Sequence, residues 1–268
     1  MSAETQSFAQ ALDFVDEDAA LSRGRVTADW GQGRAAYGGL VGAIALHEMR
    51  KRAPAARPVR SMTLTFVGPL GVGEATCRTA VLRDGKSSTL IEARIEQGGE
   101  VCCVAQGVFG GARSSQVELA YPPPRAIEAP ERYEPFPYIE GAIPAFLQHV
   151  RTRWAYGHFP FSGQPLAPLG GYCELIGDEQ PDACSVVMLL DAWPTPAYSP
   201  LTTPSGASTV SWSIDFLVDL NGRALRGPFR FEGAVAAAGS GYAQGDAWLW
   251  DADGVALARA LQLVAVLA

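Results

Sequence analysis

The sequence predicts an α+β fold made of one unit written twice, each unit a long central helix wrapped by a curved antiparallel β-sheet. Three observations predict it. First, a strand pattern recurs. Residues 60–66 alternate small polar residues with Met62, Leu64 and Phe66, and residues 210–216 repeat the register with Trp212, Ile214 and Phe216. Such alternation marks a strand with one buried face. Second, two hairpin turns follow each of these strands, at Asp84-Gly85 and Gly98-Gly99 in the first half and at Gly239-Ser240-Gly241 and Asp253-Gly254 in the second. Both pairs are spaced by 14 residues, Gly85 to Gly99 and Ser240 to Gly254, and these residue types suit tight turns. Third, a helix candidate precedes each strand set.

The elements follow in order. Met1 to Asp18 is polar and acidic, without a basic start or an apolar run, so no secretory leader is expected and the protein is read as cytoplasmic. The first helix is expected over Gly39 to Lys51, with Leu40, Ile44 and His47 on one face, Gly38-Gly39 at its start and Pro54 just past its end. Its strands run to residue 112. Residues 113–143 are rich in proline around Tyr121-Pro122-Pro123-Pro124 and are read as a semi-extended spacer. Residues 144–268 form the second unit, whose more apolar helix is expected over Ala183 to Ala192 and is stopped by Pro194 and Pro196. A helix ahead of a long antiparallel sheet, twice over, is the outline of a double hotdog, in which each unit covers the other's open apolar face.

Composition narrows the function. At 48% apolar and 18% charged residues the chain is an ordinary globular one. A net charge of −7 argues against a broad basic face, and with it against nucleic acid or an anionic membrane as partner. The longest apolar stretches fall short of the roughly 20 residues that span a bilayer. The cysteines, Cys77, Cys102, Cys103, Cys173 and Cys184, are odd in number and include an adjacent pair, which suggests core residues rather than a disulfide framework. Neither Cys-x-x-Cys nor a second histidine near His47-Glu48 occurs, so no metal site and no cofactor are expected. The Gly-x-Ser-x-Gly elbow of serine hydrolases is missing too.

Particular segments resemble a known family. Leu82-Arg83-Asp84-Gly85-Lys86-Ser87, followed by a strand pair ending in Gln106-Gly107-Val108-Phe109, is similar to the first hotdog of acyl-CoA thioesterase II. Tyr37-Gly38-Gly39-Leu40-Val41-Gly42 matches that family's Gly-Gly helix start, and Phe66-Val67-Gly68-Pro69-Leu70 its Phe-x-x-Pro-Gly segment. In the second half, Ser208-Thr209-Val210 stands where the family has Ala-Thr-Ile. The resemblance covers roughly residues 20–268. It implies hydrolysis of an acyl-CoA substrate by a water that Asp191, Thr209 and Gln262 position and activate. It also implies a further pairing of fused hotdogs into a homodimer. One departure stands out: the family's Asp-His pair after the threonine is Ser211-Trp212 here.

The same residues carry chemistry of their own. Asp191 ends the run Val186-Val187-Met188-Leu189-Leu190; a carboxylate buried there needs partners, a raised pKa or a task as base, unless it caps the helix towards solvent. Gln262 lies in an apolar strand, where its amide is either satisfied by backbone or holds a carboxylate and a water together. Thr209, on the parity of Ser211 and Ser213, offers a hydroxyl or is an ordinary strand threonine. Gly38 and Gly39 either present backbone N–H groups to a thioester oxygen or permit close helix packing. Tyr37, Trp193 and Trp212 are candidates to close an acyl tunnel. Two other readings stay open: a non-catalytic acyl- or CoA-binding hotdog, and an enoyl-CoA hydratase, which would want an Asp–His pair.

Overall fold

The alternating segments join into a single sheet. The computed structural model describes residues 5–177 and 180–267. The first half runs α1 (Phe8–Ala11), β1 (Val15–Asp16), β2 (Leu21–Val26), a small ribbon of β3 (Gly31–Gln32) and β4 (Ala35–Ala36), then α2 (Gly38–Arg52) and β5 (Val59–Phe66), β6 (Gly73–Asp84), β7 (Ser88–Gln97) and β8 (Glu100–Gly110). The second half runs β9 (Val150–Tyr156), β10 (Leu169–Leu175), α3 (Ala183–Leu190), β11 (Gly206–Phe216), β12 (Phe229–Gly239), β13 (Tyr242–Trp250) and β14 (Ala256–Leu267). Among the described residues, 12 strands form one antiparallel sheet in the order β1-β2-β6-β7-β8-β5-β11-β14-β13-β12-β10-β9. This is the double hotdog.

The halves meet edge to edge at β5 and β11. Thr63 lies opposite Ser213, and the repeat of 60–66 with 210–216 makes these two residues counterparts. A pseudo-twofold axis therefore passes between them. The likeness extends to an irregularity: β5 slips register between Val59 and Ser61 against β8, and β11 slips between Thr209 and Ser211 against β14. One extra residue in a strand makes a bulge; here it is Arg60 in one half and Val210 in the other. The hairpins fall at the expected dipeptides, with positive φ at Gly98, Gly99, Ser240, Gly241 and Gly254. The turn at Gly85 is held by Arg57, whose guanidinium donates to Asp84, Thr89 and the carbonyls of Gly85 and Lys86.

Both central helices lie on the concave apolar face and run antiparallel to each other. Arg50 near the end of α2 pairs with Asp182, the cap at the start of α3. At the other end, Tyr37 ahead of α2 donates its hydroxyl to the Met188 carbonyl of α3. All eight residues of α3 are buried. In α2 the burial wraps most of the helix, and this corrects the expected face: His47 is half-buried, whereas Glu48 is buried and accepts from Ser22 Oγ at 2.6 Å beside the Lys51 ammonium. All five cysteines are buried free thiols.

The proline-rich segment 113–143 joins the two halves. It is mostly irregular and exposed, but it is strapped to the second half. The Trp250 indole donates to Pro122 O at 3.0 Å and the Tyr172 hydroxyl to Glu128 O at 2.8 Å. Arg125 pairs with Glu232 and lies over the Tyr156 ring.

Candidate active site

The site begins with the way α3 stops. Asp182 caps its start by accepting from the N–H groups of Cys184 and Ser185, and the apolar run ends at Asp191, the C-cap residue. There the Asp191 carboxylate turns towards the start of α2. Oδ1 accepts from Gln262 Nε2 at 2.7 Å, and the Gly39 backbone N–H donates to the same carboxylate. The first N–H groups of a helix lack intrahelical partners and carry partial positive charge, so an anion is favoured there. Gly38 makes the approach possible: a Cβ on it would stand 2.9 Å from Asp191 Oδ2.

Burial pushes the Asp191 pKa up from 3.8 to about 6, against the opposing hydrogen bonds from Gln262 and Gly39. The residue is nevertheless only half-buried by accessible surface. Such a group is ionised near neutral pH while remaining basic enough to take a proton.

Gln262 arrives on β14 directly opposite Trp212 of β11, which in turn lies opposite Leu64 of β5. Residues paired across strands share a face, so all three side chains stand on the helix side of the sheet. Thr209 is opposite Val264, two residues from Gln262 and therefore on that same side. The expected parity of Thr209 with Ser211 and Ser213 is corrected by the bulge at Val210, which shifts Thr209 to the inner face and leaves Ser211 and Ser213 on the outer one. Among the described residues no hydrogen bond joins Thr209 to Asp191 or Gln262.

The remaining sequence candidates are also close at hand, in altered parts. Gly38 and Gly39 stand at the Asp191 carboxylate, which accepts from the Gly39 N–H. Tyr37 is fully buried, stacks on Phe146 with centroids 3.8 Å apart, and spends its hydroxyl on Met188. In this position it clamps α2 to α3. Trp193 stacks on Phe231 and touches Trp154, and its buried indole N–H has no oxygen or nitrogen acceptor. Trp212 is 2% exposed beneath α2.

Some participants were not read from the sequence. Phe66 lies beside the carboxylate, its ring 3.6 Å from a Cβ placed on Gly38; its position at the end of a repeat strand was the available signal. An Asp–His pair also forms, His149 Nε2 to Asp29 Oδ2 at 2.9 Å, with the imidazole stacked on Trp30 at 4.0 Å. It joins the two halves, and the Trp30 carbonyl in turn accepts from the Tyr37 N–H ahead of α2. Nothing in the spacing of residues 29 and 149 announces it.

The pseudo-twofold axis defines a second, equivalent place, where the end of α2 meets the start of α3 and Arg50 pairs with Asp182. The counterpart of Thr209 is Val59, and the residue opposite Met62, the counterpart of Trp212, is Gly107 rather than a glutamine. A Cβ on Gly107 would already meet Met49 Sδ at 3.0 Å. The strand positions that carry Thr209 and Gln262 in one half thus carry only Val59 and Gly107 in the other.

Comparison with known proteins bears on the family and the fold. Residues 26–110 match the family model of the acyl-CoA thioesterase N-terminal domain, and residues 130–266 match that of the acyl-CoA thioesterase C-terminal domain. No curated protein matches the sequence. Among solved structures, a conserved protein of unknown function with a hot dog fold from Alicyclobacillus acidocaldarius superposes with a TM-score of 0.88 at 22% identity, covering 99% of each chain. The tesB protein of Mycobacterium avium subs paratuberculosis gives 0.78 at 15% identity over 97% of this chain and 98% of that one. An acyl-CoA thioesterase II from Mycobacterium marinum gives 0.75 at 16% identity, with the same coverage. At these identities the structures share the fold.

Proposed function

Because the chain belongs to the acyl-CoA thioesterase family, we propose that it hydrolyses acyl-CoA to a free carboxylic acid and CoA, with Asp191 as the base. The observation that carries this reading is the Asp191 carboxylate held between the Gln262 amide and the Gly39 N–H, with its pKa pushed up to about 6.

In this reading a water sits on the open side of Asp191. Gln262 donates to the carboxylate through Nε2 and accepts from the water through Oε1, which aims a lone pair at the thioester carbon. Thr209, on the same face, offers the water a further partner. As the water oxygen bonds to the carbonyl carbon, its proton passes to Asp191 and the carbonyl oxygen becomes an oxyanion. The Gly38 N–H, at the positive end of α2, is the donor assigned to that oxygen. The intermediate collapses with loss of the CoA sulfur, and Asp191 returns the proton to the leaving thiolate.

The test is release of free CoA from a panel of acyl-CoAs, short to long, straight and aromatic, with Asp191→Asn beside the wild type. General-base removal is expected to lower turnover by at least about 100-fold. Turnover indifferent to Asp191→Asn would move the base elsewhere in the molecule. Silence across the whole panel would leave a hotdog that binds acyl-CoA without cleaving it.

A further inference from the structure

We propose that Trp212 is the wall of the acyl site and restricts this protein to short acyl groups. The inference rests on the proposed hydrolysis at Asp191 and Gln262. Trp212 stands directly across from Gln262 on the helix side of the sheet, so the Cβ atoms of the two lie about 5 Å apart. An acyl chain attached to a carbonyl beside Gln262 and directed into the interior meets the indole at once.

The space beyond is closed as well. Gly42 of α2 works as a ruler at the point where both helices and both central strands converge. A single carbon added there would stand 2.9 Å from Val187 Cγ1 of α3, 3.2 Å from Trp212 Cζ3 of β11 and 3.4 Å from Leu64 Cδ2 of β5. Where one methyl does not fit, a run of methylenes does not pass. Nearer the base the packing is equally tight, since a carbon on Gly39 would collide with the Tyr37 ring at 2.5 Å. The glycine at 42 and the tryptophan at 212 are complementary: the missing side chain on the helix leaves the volume that the indole occupies. Of the two residues following Thr209 and its bulge, Ser211 faces outward and Trp212 inward, so Trp212 is the one that shapes the interior.

The experiment compares kcat/KM for butyryl-CoA and dodecanoyl-CoA in the wild type, Trp212→Leu and Trp212→Phe, with circular dichroism and thermal melts reporting folding. The wild type is expected to favour butyryl-CoA by at least about tenfold, the scale on which apolar pockets discriminate chain length. Trp212→Leu is expected to shrink or reverse that ratio, mainly through a lower KM for dodecanoyl-CoA, because the new contacts form in the ground state as well as in the transition state. Wild-type cleavage of dodecanoyl-CoA as fast as butyryl-CoA overturns the inference and leaves the thioesterase standing. A folded Trp212→Leu with the wild-type ratio overturns it too. If the leucine variant does not fold, Trp212→Phe and the wild-type profile decide. Wild-type inactivity on both substrates and on the wider panel defeats the proposed function itself.

Discussion

The burial that pushes the Asp191 pKa up to about 6 also works against the folded state, because the ionised carboxylate is the form that burial disfavours. The folded pKa lies above the ordinary 3.8. The associated stability is therefore fully present below about pH 4 and is lost as pH rises through about 6. On the proposed function, the molecule carries this penalty at neutral pH in order to hold a base. Asp191→Asn should stabilise the fold by an amount on the order of 1–2 kcal/mol once partial exposure is allowed for, read as a higher thermal midpoint, while turnover falls. A melt scan beside a CoA-release assay checks both halves, and a lower midpoint would count against the burial argument. The wild-type kcat/KM should climb with pH through an apparent pKa of about 6, since only the ionised carboxylate accepts a proton. Gln262→Ala removes a hydrogen bond that lowers this pKa, so the rising limb should move to higher pH; an unmoved limb would detach Gln262 from the titrating group. Asp191 and Gln262 were legible as chemistry because each is a polar residue in an apolar run. Thr209 was legible only as a residue type, since one inserted residue, Val210, reverses the face that simple alternation assigns to it.

At the scale of the element, the start of α2 serves two purposes. Gly38 and Gly39 leave room for the carboxylate and for the Tyr37 ring, and the helix N-terminus supplies the N–H that holds Asp191. Gly38→Ala should displace Asp191 Oδ2, which a Cβ would meet at 2.9 Å. Turnover should fall by at least about tenfold, because positioning at this scale governs rate steeply, while alanine preserves or improves helix propensity. Kinetics with a parallel melt separates these effects, and unaltered kcat/KM would show that the carboxylate tolerates the methyl. Tyr37→Phe is expected to act on stability instead. It leaves the Met188 carbonyl of a buried helix without its donor, at a cost of about 1–3 kcal/mol, read as a lowered denaturation midpoint. The helices and long hairpins were legible from periodicity and turn residues. The short strands β1, β9 and β10 were not, because their residues carry little alternation and owe their pairing to the sheet already formed beside them.

At the scale of the whole molecule, the site belongs to neither half alone. Asp191, Thr209 and Gln262 come from the second half, whereas Gly38, Gly39 and the Phe66 ring come from the first. The join that brings them together is the β5–β11 ladder, supported by the antiparallel helix pair. The repeat itself was readable in the sequence, but the pairing of its two copies was not, since alternation states which face is buried and is silent on which strand lies alongside. Separated, each half would expose a long edge strand and the apolar flank of its helix, the combination that drives association. Cutting the chain in the exposed segment after Arg113 should therefore give two fragments, 1–113 and 114–268, that are each inactive. The second should keep its strap, because Pro122, Arg125 and Glu128 bind to the second half. Co-expression or mixing should restore CoA release as the β5–β11 ladder re-forms. Activity of 114–268 by itself would show that the α2 N-terminus is dispensable, and the roles assigned to Gly38 and Gly39 would fall with it.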